Sequence, residues 1–118
     1  MKTASKICFQ GDVCFVAVEG VPADFVEAKR GDRLTVAHSE TGHNHDVMGI
    51  DMSLYENPRD PFVCYLQFGG DHADAVHLRE SATHETWRLL GDATKPKATY
   101  KIIRQREASP DGWRRVED

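Results

Sequence analysis

His43 and His45 are the residues of this sequence whose type and spacing most directly suggest chemistry. Residues at positions i and i+2 of a β-strand project from the same face. Neutral imidazole nitrogens bind zinc and similar divalent metals at about 2.0–2.1 Å. The H-x-H pair therefore predicts a site for one divalent metal ion, with zinc as the first choice.

A third ligand has to come from elsewhere, and His84 in residues 83–87 is the preferred candidate. A ligand from a separate segment holds the ion within the fold, whereas three ligands in one hairpin leave it largely in solvent. His38, Glu80 and Glu85 are the further candidates, either as additional ligands or as hydrogen-bond partners of the ligands.

An alternative interpretation has to be weighed against this site. Histidines are common on exposed polar strand faces, so an H-x-H pair alone is a weak signal, and His72 and His77 are assigned to such surface roles. The double-histidine barrel enzymes carry a glutamate four or five positions after the pair, whereas here Asp51 follows at six. The sequence therefore favours a metal-binding protein that has no enzymatic activity or only weak activity.

A run of alternating apolar residues follows the histidine pair. Met48, Ile50, Met52 and Leu54 are apolar at every second position, which is the period of a half-buried strand. These four side chains are expected to face the core together. In the same alternation His45 belongs to the reverse face.

A predicted hairpin positions the histidines. Residues 34–38 form its first strand, and residues 39–42 connect that strand to the histidine strand. In this register Val36 lies opposite His45, and His38 lies opposite His43. Directly opposed residues have Cβ atoms roughly 4.5–5.5 Å apart and point to the same side, so three imidazoles would share one patch.

Turn signals recur along the whole chain, and no segment shows a long helical period. Strands are predicted at residues 7–9, 13–18, 34–38, 48–54, 62–68, 75–79, 83–90 and 99–107, with a turn at 69–71. The pattern of residues 83–90 is also compatible with two turns of helix. Seven or eight short strands at this spacing predict an all-β fold, a small antiparallel sandwich or barrel. Residues 1–118 are expected to form one domain, with 1–6 and 108–118 as flexible or peripheral termini.

Composition narrows the class of protein. The 118 residues are 40% hydrophobic and 29% charged, as in globular proteins. The longest apolar run, residues 13–18, is too short to span a membrane, and the start of the chain lacks a signal-peptide pattern. We expect a cytoplasmic protein of a bacterial cell or an infected host, without membrane association. Cys8, Cys14 and Cys64 are expected to be buried thiols.

Charge is unevenly distributed along the chain. Residues 37–92 hold ten acidic residues against three basic ones, together with all six histidines. Such a surface repels phosphate, so nucleic acid is disfavoured as a partner. The alternative function is therefore an accessory protein of a phage or mobile element that binds a host protein, or a second copy of itself, through its acidic surface.

Four segments resemble a group of small, largely uncharacterised proteins of bacteria and their phages. The pattern of that group runs Q-G-D-V, T-G-H-x-H, a V-H-E-E-H-like segment and V-V-R-Q-R-E, and it closes on a proline and R-R-V-x-D. The corresponding segments here are residues 10–13, 41–45, 83–87 and 102–107, followed by Pro110 and residues 114–118.

The resemblance has a consequence for the metal site. His43, His45 and His84 match histidines of the group's pattern, whereas Trp87 replaces the second histidine of V-H-E-E-H. His38 stands where the group tends to have an acid. The resemblance therefore implies a site with three histidine ligands rather than four, and it implies no particular activity.

Overall fold

The structure, a computed structural model, describes residues 2–10, 12–37, 44–78 and 83–104, without the side chains of residues 77, 78 and 83–85. Every regular element in these ranges is a strand, so the predicted all-β class is confirmed. The strands are β1 (Lys2–Ala4), β2 (Ile7–Gln10), β3 (Val13–Val18), β4 (Val26–Ala37), β5 (His45–Glu56), β6 (Val63–Leu78), β7 (Thr83–Leu90) and β8 (Ala98–Arg104).

The eight strands form one nearly closed, barrel-like sheet. The order is β1-β7-β6-β8-β3-β2, and β5 joins β6 to β4. Since β1 and β2 are adjacent in the chain but stand at opposite ends of this order, the chain itself brings the two ends together. One pairing departs from the antiparallel expectation, because β1 runs parallel to β7. Residues 2–4, which show no strand pattern in the sequence, thus contribute to closure.

The three long strands, β4, β5 and β6, bend at the same height along the barrel-like sheet. The β4–β5 register shifts at residues 31–33 of β4, and the β5–β6 register shifts between residues 48 and 53 of β5. In β6 the bend lies at residues 69–71, where Gly70 has a φ of 77°. Irregularities of this kind bend a strand and increase its local twist. The bends allow each long strand to follow the curvature of the closing sheet.

The bend in β6 corrects the turn predicted at residues 69–71. A Gly-Gly-Asp sequence is typical of a turn, but here it continues the strand through a left-handed glycine. The predicted strands at 62–68 and 75–79 are consequently two halves of β6.

The bend in β5 reverses the side-chain alternation of that strand. Asp51 adopts a φ of 52°, which is uncommon for a residue other than glycine. After the bend Met52 and Leu54 are fully buried as predicted, whereas before it Met48 and Ile50 are 39% and 65% exposed. The prediction that all four side chains face the core is therefore wrong for Met48 and Ile50. In the N-terminal half of β5 the inward positions include those of His45 and Val47.

Close approach of β5 and β6 requires a glycine at this bend. A Cβ atom built on Gly49 would lie 2.9 Å from the Ala73 Cβ atom and 3.2 Å from the Met52 sulfur. Real side chains do not approach so closely, so position 49 excludes any larger residue unless the strands move apart.

Aromatic and aliphatic side chains from all parts of the sheet fill its interior. The rings of Phe68 and Tyr100 stack with centroids 5.8 Å apart, and both residues are buried. The three cysteines are buried free thiols, as predicted. Burial raises the pKa of Cys8 and of Cys64 to about 12, so both stay protonated and unreactive near neutral pH. In the described part of the chain no helix has the length and apolar content needed to cross a membrane.

Candidate metal centre

His45 is the first residue of β5 and is 1% exposed. The sequence placed it on the face opposite Met48 and Ile50, which is correct, but that face points inward in this half of the strand. The reversal at Asp51 is the cause. The imidazole therefore lies inside the sheet, next to buried Val47 in the alternation, and not on an exposed surface.

Gln10 contacts one nitrogen of the His45 ring. The Gln10 amide nitrogen donates a hydrogen bond of 2.8 Å to the backbone oxygen of Ala75, and its amide oxygen lies 2.9 Å from His45 Nδ1. An amide oxygen only accepts, so this geometry assigns the hydrogen to Nδ1 of the ring. In the neutral ring, Nε2 is then the nitrogen with the lone pair.

Asp12 faces the other nitrogen of the same ring. Its Oδ1 atom lies 3.6 Å from His45 Nε2, and its side chain is 32% exposed. A carboxylate oxygen and a nitrogen lone pair repel each other unless positive charge lies between them. A proton on Nε2 or a bound cation can supply that charge, so the arrangement suits a cation.

Backbone register places two further histidines in line with His45. His45 lies opposite His77 of β6, and His77 lies opposite His84 of β7. Neighbouring strands are about 4.7–4.9 Å apart, so His84 stands about 10 Å from His45 along this row. The row brings together His45 and His84, which were predicted as ligands, and adds His77, which the sequence assigned to a surface role.

Other predicted site residues lie outside what the structure describes. His38, His43 and Glu80 fall outside the described residues, and Glu85 is described in its backbone alone. The predicted hairpin register is confirmed where Leu34 lies opposite Val47 and Thr35 lies opposite Asp46, but it is wrong at His45, which lies opposite Ala37 rather than Val36. A register shift between Thr35 and Ala37 is the reason.

Several strand ends and turns meet at this end of the sheet. Asp12 lies in the connection from β2 to β3, His45 begins β5, and β7 begins beside the end of β6. Arg104, at the end of β8, lies opposite Val13 at the start of β3. The row of histidines thus occupies a rim that receives an end of β2, β3, β5, β6, β7 and β8, and also the end of β4, whose Ala37 lies opposite His45.

Ion pairs reduce the acidic character that the sequence predicts for the middle of the chain. Asp46 accepts hydrogen bonds from Thr35 Oγ1 at 2.8 Å and Arg33 Nε at 3.0 Å. Two other acids are also paired, since Asp74 contacts Arg88 at 2.9 Å and Asp51 contacts Lys97 at 3.3 Å. The folded surface is therefore less negative around these acids than the sequence suggests, which weakens the basis for the acidic-surface alternative.

A cavity of about 200 Å³ lies at the opposite end of the sheet. Its lining includes Ser5, Gly91, Asp92, Lys95 and Tyr100. Tyr100 donates hydrogen bonds to backbone oxygens there, and Lys95 contacts Glu19. The tyrosine and the lysine of this cavity are thus engaged with the protein.

The described side chains do not contain a complete metal site. No group of three or more histidine, cysteine or acidic side chains is close enough to hold an ion within the ranges whose side chains the structure describes. The part of the candidate site that is described is the pair of His45 and Asp12, supported by Gln10.

Comparison of the chain with family models, with curated proteins and with solved structures finds no match in any of the three.

Sequence reasoning missed Gln10 and Asp12 as site residues. Both belong to the segment Q-G-D, whose composition is typical of a turn, and Asp12 does lie in one. The signal that could have singled them out was the resemblance, since residues 10–13 are the first of its four segments.

Proposed function

We propose that this chain is a small metal-binding β-domain whose ion is held where His45, His77 and His84 share a row across β5, β6 and β7. The register of these three histidines is the observation that carries the proposal. Imidazole ligands favour zinc over magnesium or calcium. The role we propose is binding and not catalysis.

Burial of His45 supports this proposal. An imidazole that is 1% exposed has lost its contact with bulk water, and a metal ion is one partner that compensates such a loss. The carboxylate of Asp12, 3.6 Å from the ring, raises the affinity of the region for a cation. His43, two residues before His45, remains the sequence-predicted ligand for a further position, with His38, Glu80 and Glu85 as alternatives.

The positions of the four resembling segments also support the proposal. Residues 10–13 and residues 41–45 meet through the contact of Gln10 with His45. Residues 83–87 join the same row at His84, and Arg104 of the segment 102–107 lies opposite Val13. Segments that are far apart in the chain thus bring their described parts to one rim, as a shared binding site requires.

Metal analysis of the protein purified without a histidine tag tests the proposal. We expect about one zinc ion per chain in the wild type and loss of that zinc in a His45→Ala/His84→Ala variant. The matched control is His72→Ala, because His72 lies in β6, the strand between those of His45 and His84, but is opposite Leu90, away from the row. Circular dichroism confirms that each variant is folded. Zinc that stays at the wild-type level in the folded double variant contradicts the proposal.

A further inference from the structure

We infer that Asp12 supplies an oxygen ligand to the same ion and that Gln10 is a positioning residue, which makes Nε2 the ligand nitrogen of His45. The inference rests on the proposed function and specifies its chemistry. The site is then a mixed nitrogen and oxygen site, to which β2 contributes its last residue, Gln10, and the connection between β2 and β3 contributes Asp12.

The first step is the fixed orientation of Gln10. Its side chain is 1% exposed, and its amide nitrogen donates to the Ala75 backbone oxygen at 2.8 Å. That oxygen cannot donate, so the amide cannot rotate by half a turn without placing two acceptors against each other. The Gln10 oxygen therefore stays directed at His45.

The second step is the choice of ring nitrogen. The Gln10 oxygen, 2.9 Å from Nδ1, accepts the hydrogen of that nitrogen. Histidines that bind metals commonly donate their second ring N–H to a carbonyl or carboxylate oxygen, which fixes the tautomer and the ring orientation. Gln10 occupies the position of such a partner, so Nε2 is the nitrogen that can coordinate.

The third step is the separation of His45 Nε2 from Asp12 Oδ1. The distance of 3.6 Å is longer than an N–H···O hydrogen bond of about 2.7–3.2 Å. Two ligand atoms bound to one tetrahedral zinc ion at about 2.0–2.2 Å lie about 3.4 Å from each other. The observed separation is closer to that of two ligands of one ion than to that of a direct hydrogen bond.

An oxygen ligand has a consequence for metal preference. Imidazole suits zinc, copper, iron and nickel, whereas carboxylate oxygens also suit manganese. A site that includes Asp12 is therefore expected to bind Mn²⁺ as well as Zn²⁺, with zinc bound more tightly. Removing the carboxylate should lower the affinity for Mn²⁺ more than the affinity for Zn²⁺.

Titration of the full chain with Zn²⁺ and with Mn²⁺ tests the role of Asp12. For Asp12→Asn we expect zinc affinity to fall about 10–100-fold and manganese binding to fall further. The matched control is Asp60→Asn, an exposed aspartate in the connection from β5 to β6. Wild-type affinities for both metals in Asp12→Asn would overturn the inference and leave the proposed function intact. Absence of zinc binding by the wild type would instead refute the proposed function, and the inference with it.

Nitrogen NMR of the histidine rings tests the role of Gln10. In the zinc-loaded wild type we expect His45 to carry its hydrogen on Nδ1 and to bind the ion through Nε2. In Gln10→Met, which removes both amide hydrogen bonds at similar volume, we expect zinc affinity to fall about 10-fold and the Nδ1 hydrogen to exchange faster with water. A zinc-loaded wild type with the hydrogen on Nε2 overturns the assignment.

Discussion

The two ends of the barrel-like sheet differ in the contacts that their polar side chains make. At the cavity end, Tyr100 donates to the backbone oxygens of Ala4 and Leu90 at 3.2 and 2.9 Å, and Lys95 contacts the Glu19 carboxylate at 2.8 Å. Both of these side chains donate to acceptors of the protein. At the histidine end, a carboxylate faces a ring nitrogen at 3.6 Å, and Gln10 directs that ring toward the carboxylate.

The difference separates a structural end from the end at which we propose that a cation binds. Groups whose hydrogen bonds are satisfied within the protein stabilise the fold and have little remaining capacity for a ligand. Groups arranged around a position that favours positive charge are suited to bind a cation. We therefore expect substitutions at the cavity end to change stability, and substitutions at the histidine end to change metal affinity.

The largest expected effect is on stability at the cavity end. Tyr100→Ala removes a fully buried ring that stacks on Phe68, so we expect a loss of about 3–5 kcal/mol in the free energy of unfolding. Urea denaturation measures the loss, and zinc titration of the folded protein at low urea should give an affinity within about twofold of the wild type. A parallel fall in zinc affinity would show that the two ends are coupled.

The next effect is stabilisation by zinc at the histidine end. At a free zinc concentration 100 times the dissociation constant, we expect about 2.7 kcal/mol of added stability, measured as a rise in melting temperature. His45→Asn should abolish that rise. Tyr100→Phe serves as the control, because it changes the cavity end and should keep the full zinc-dependent rise. Equal rises in all three proteins would assign the effect to zinc bound elsewhere.

A smaller effect is expected at Gly91, which follows β7. A Cβ atom there would lie 2.6 Å from the backbone oxygen of Gly70 and 3.1 Å from that of Asp71. Gly91→Ala should therefore destabilise the protein by about 1–3 kcal/mol without changing zinc affinity. Gly20→Ala is the control, since nothing lies within 4 Å of that Cβ position, and it should change stability by less than about 0.5 kcal/mol. Equal effects of the two variants would contradict this tight contact.

Much of the fold could be predicted because strands and turns have local patterns in the sequence. The alternation of residues 62–68 and the apolar run at 13–18 both mark strands that the structure contains. The N-terminal half of β4 could not be told from a turn, because residues 26–33 are mostly exposed and show no apolar period. Turn composition misled at residues 69–71, since glycines permit a turn and a bend equally well.

The candidate site was predictable only in part, because its contacts depend on tertiary structure. His45 was singled out by its spacing from His43, but its burial depends on the backbone of Asp51, six residues later. Gln10 is 35 residues from His45 in the chain, and no local pattern connects them. The place of His77 between His45 and His84 follows from strand pairing, which the sequence does not specify.

Because the side-chain alternation reverses at Asp51, a deletion at this bend would affect the two halves of β5 differently. Because side chains alternate with a period of two, deleting one residue between positions 48 and 52 would rotate everything on one side of the deletion by half a turn. The C-terminal half is anchored by fully buried Met52 and Leu54, so the N-terminal half would be the one to rotate. Evolution could therefore transfer this imidazole from the interior to the solvent by a single codon loss, without rebuilding the hydrophobic packing beyond the bend.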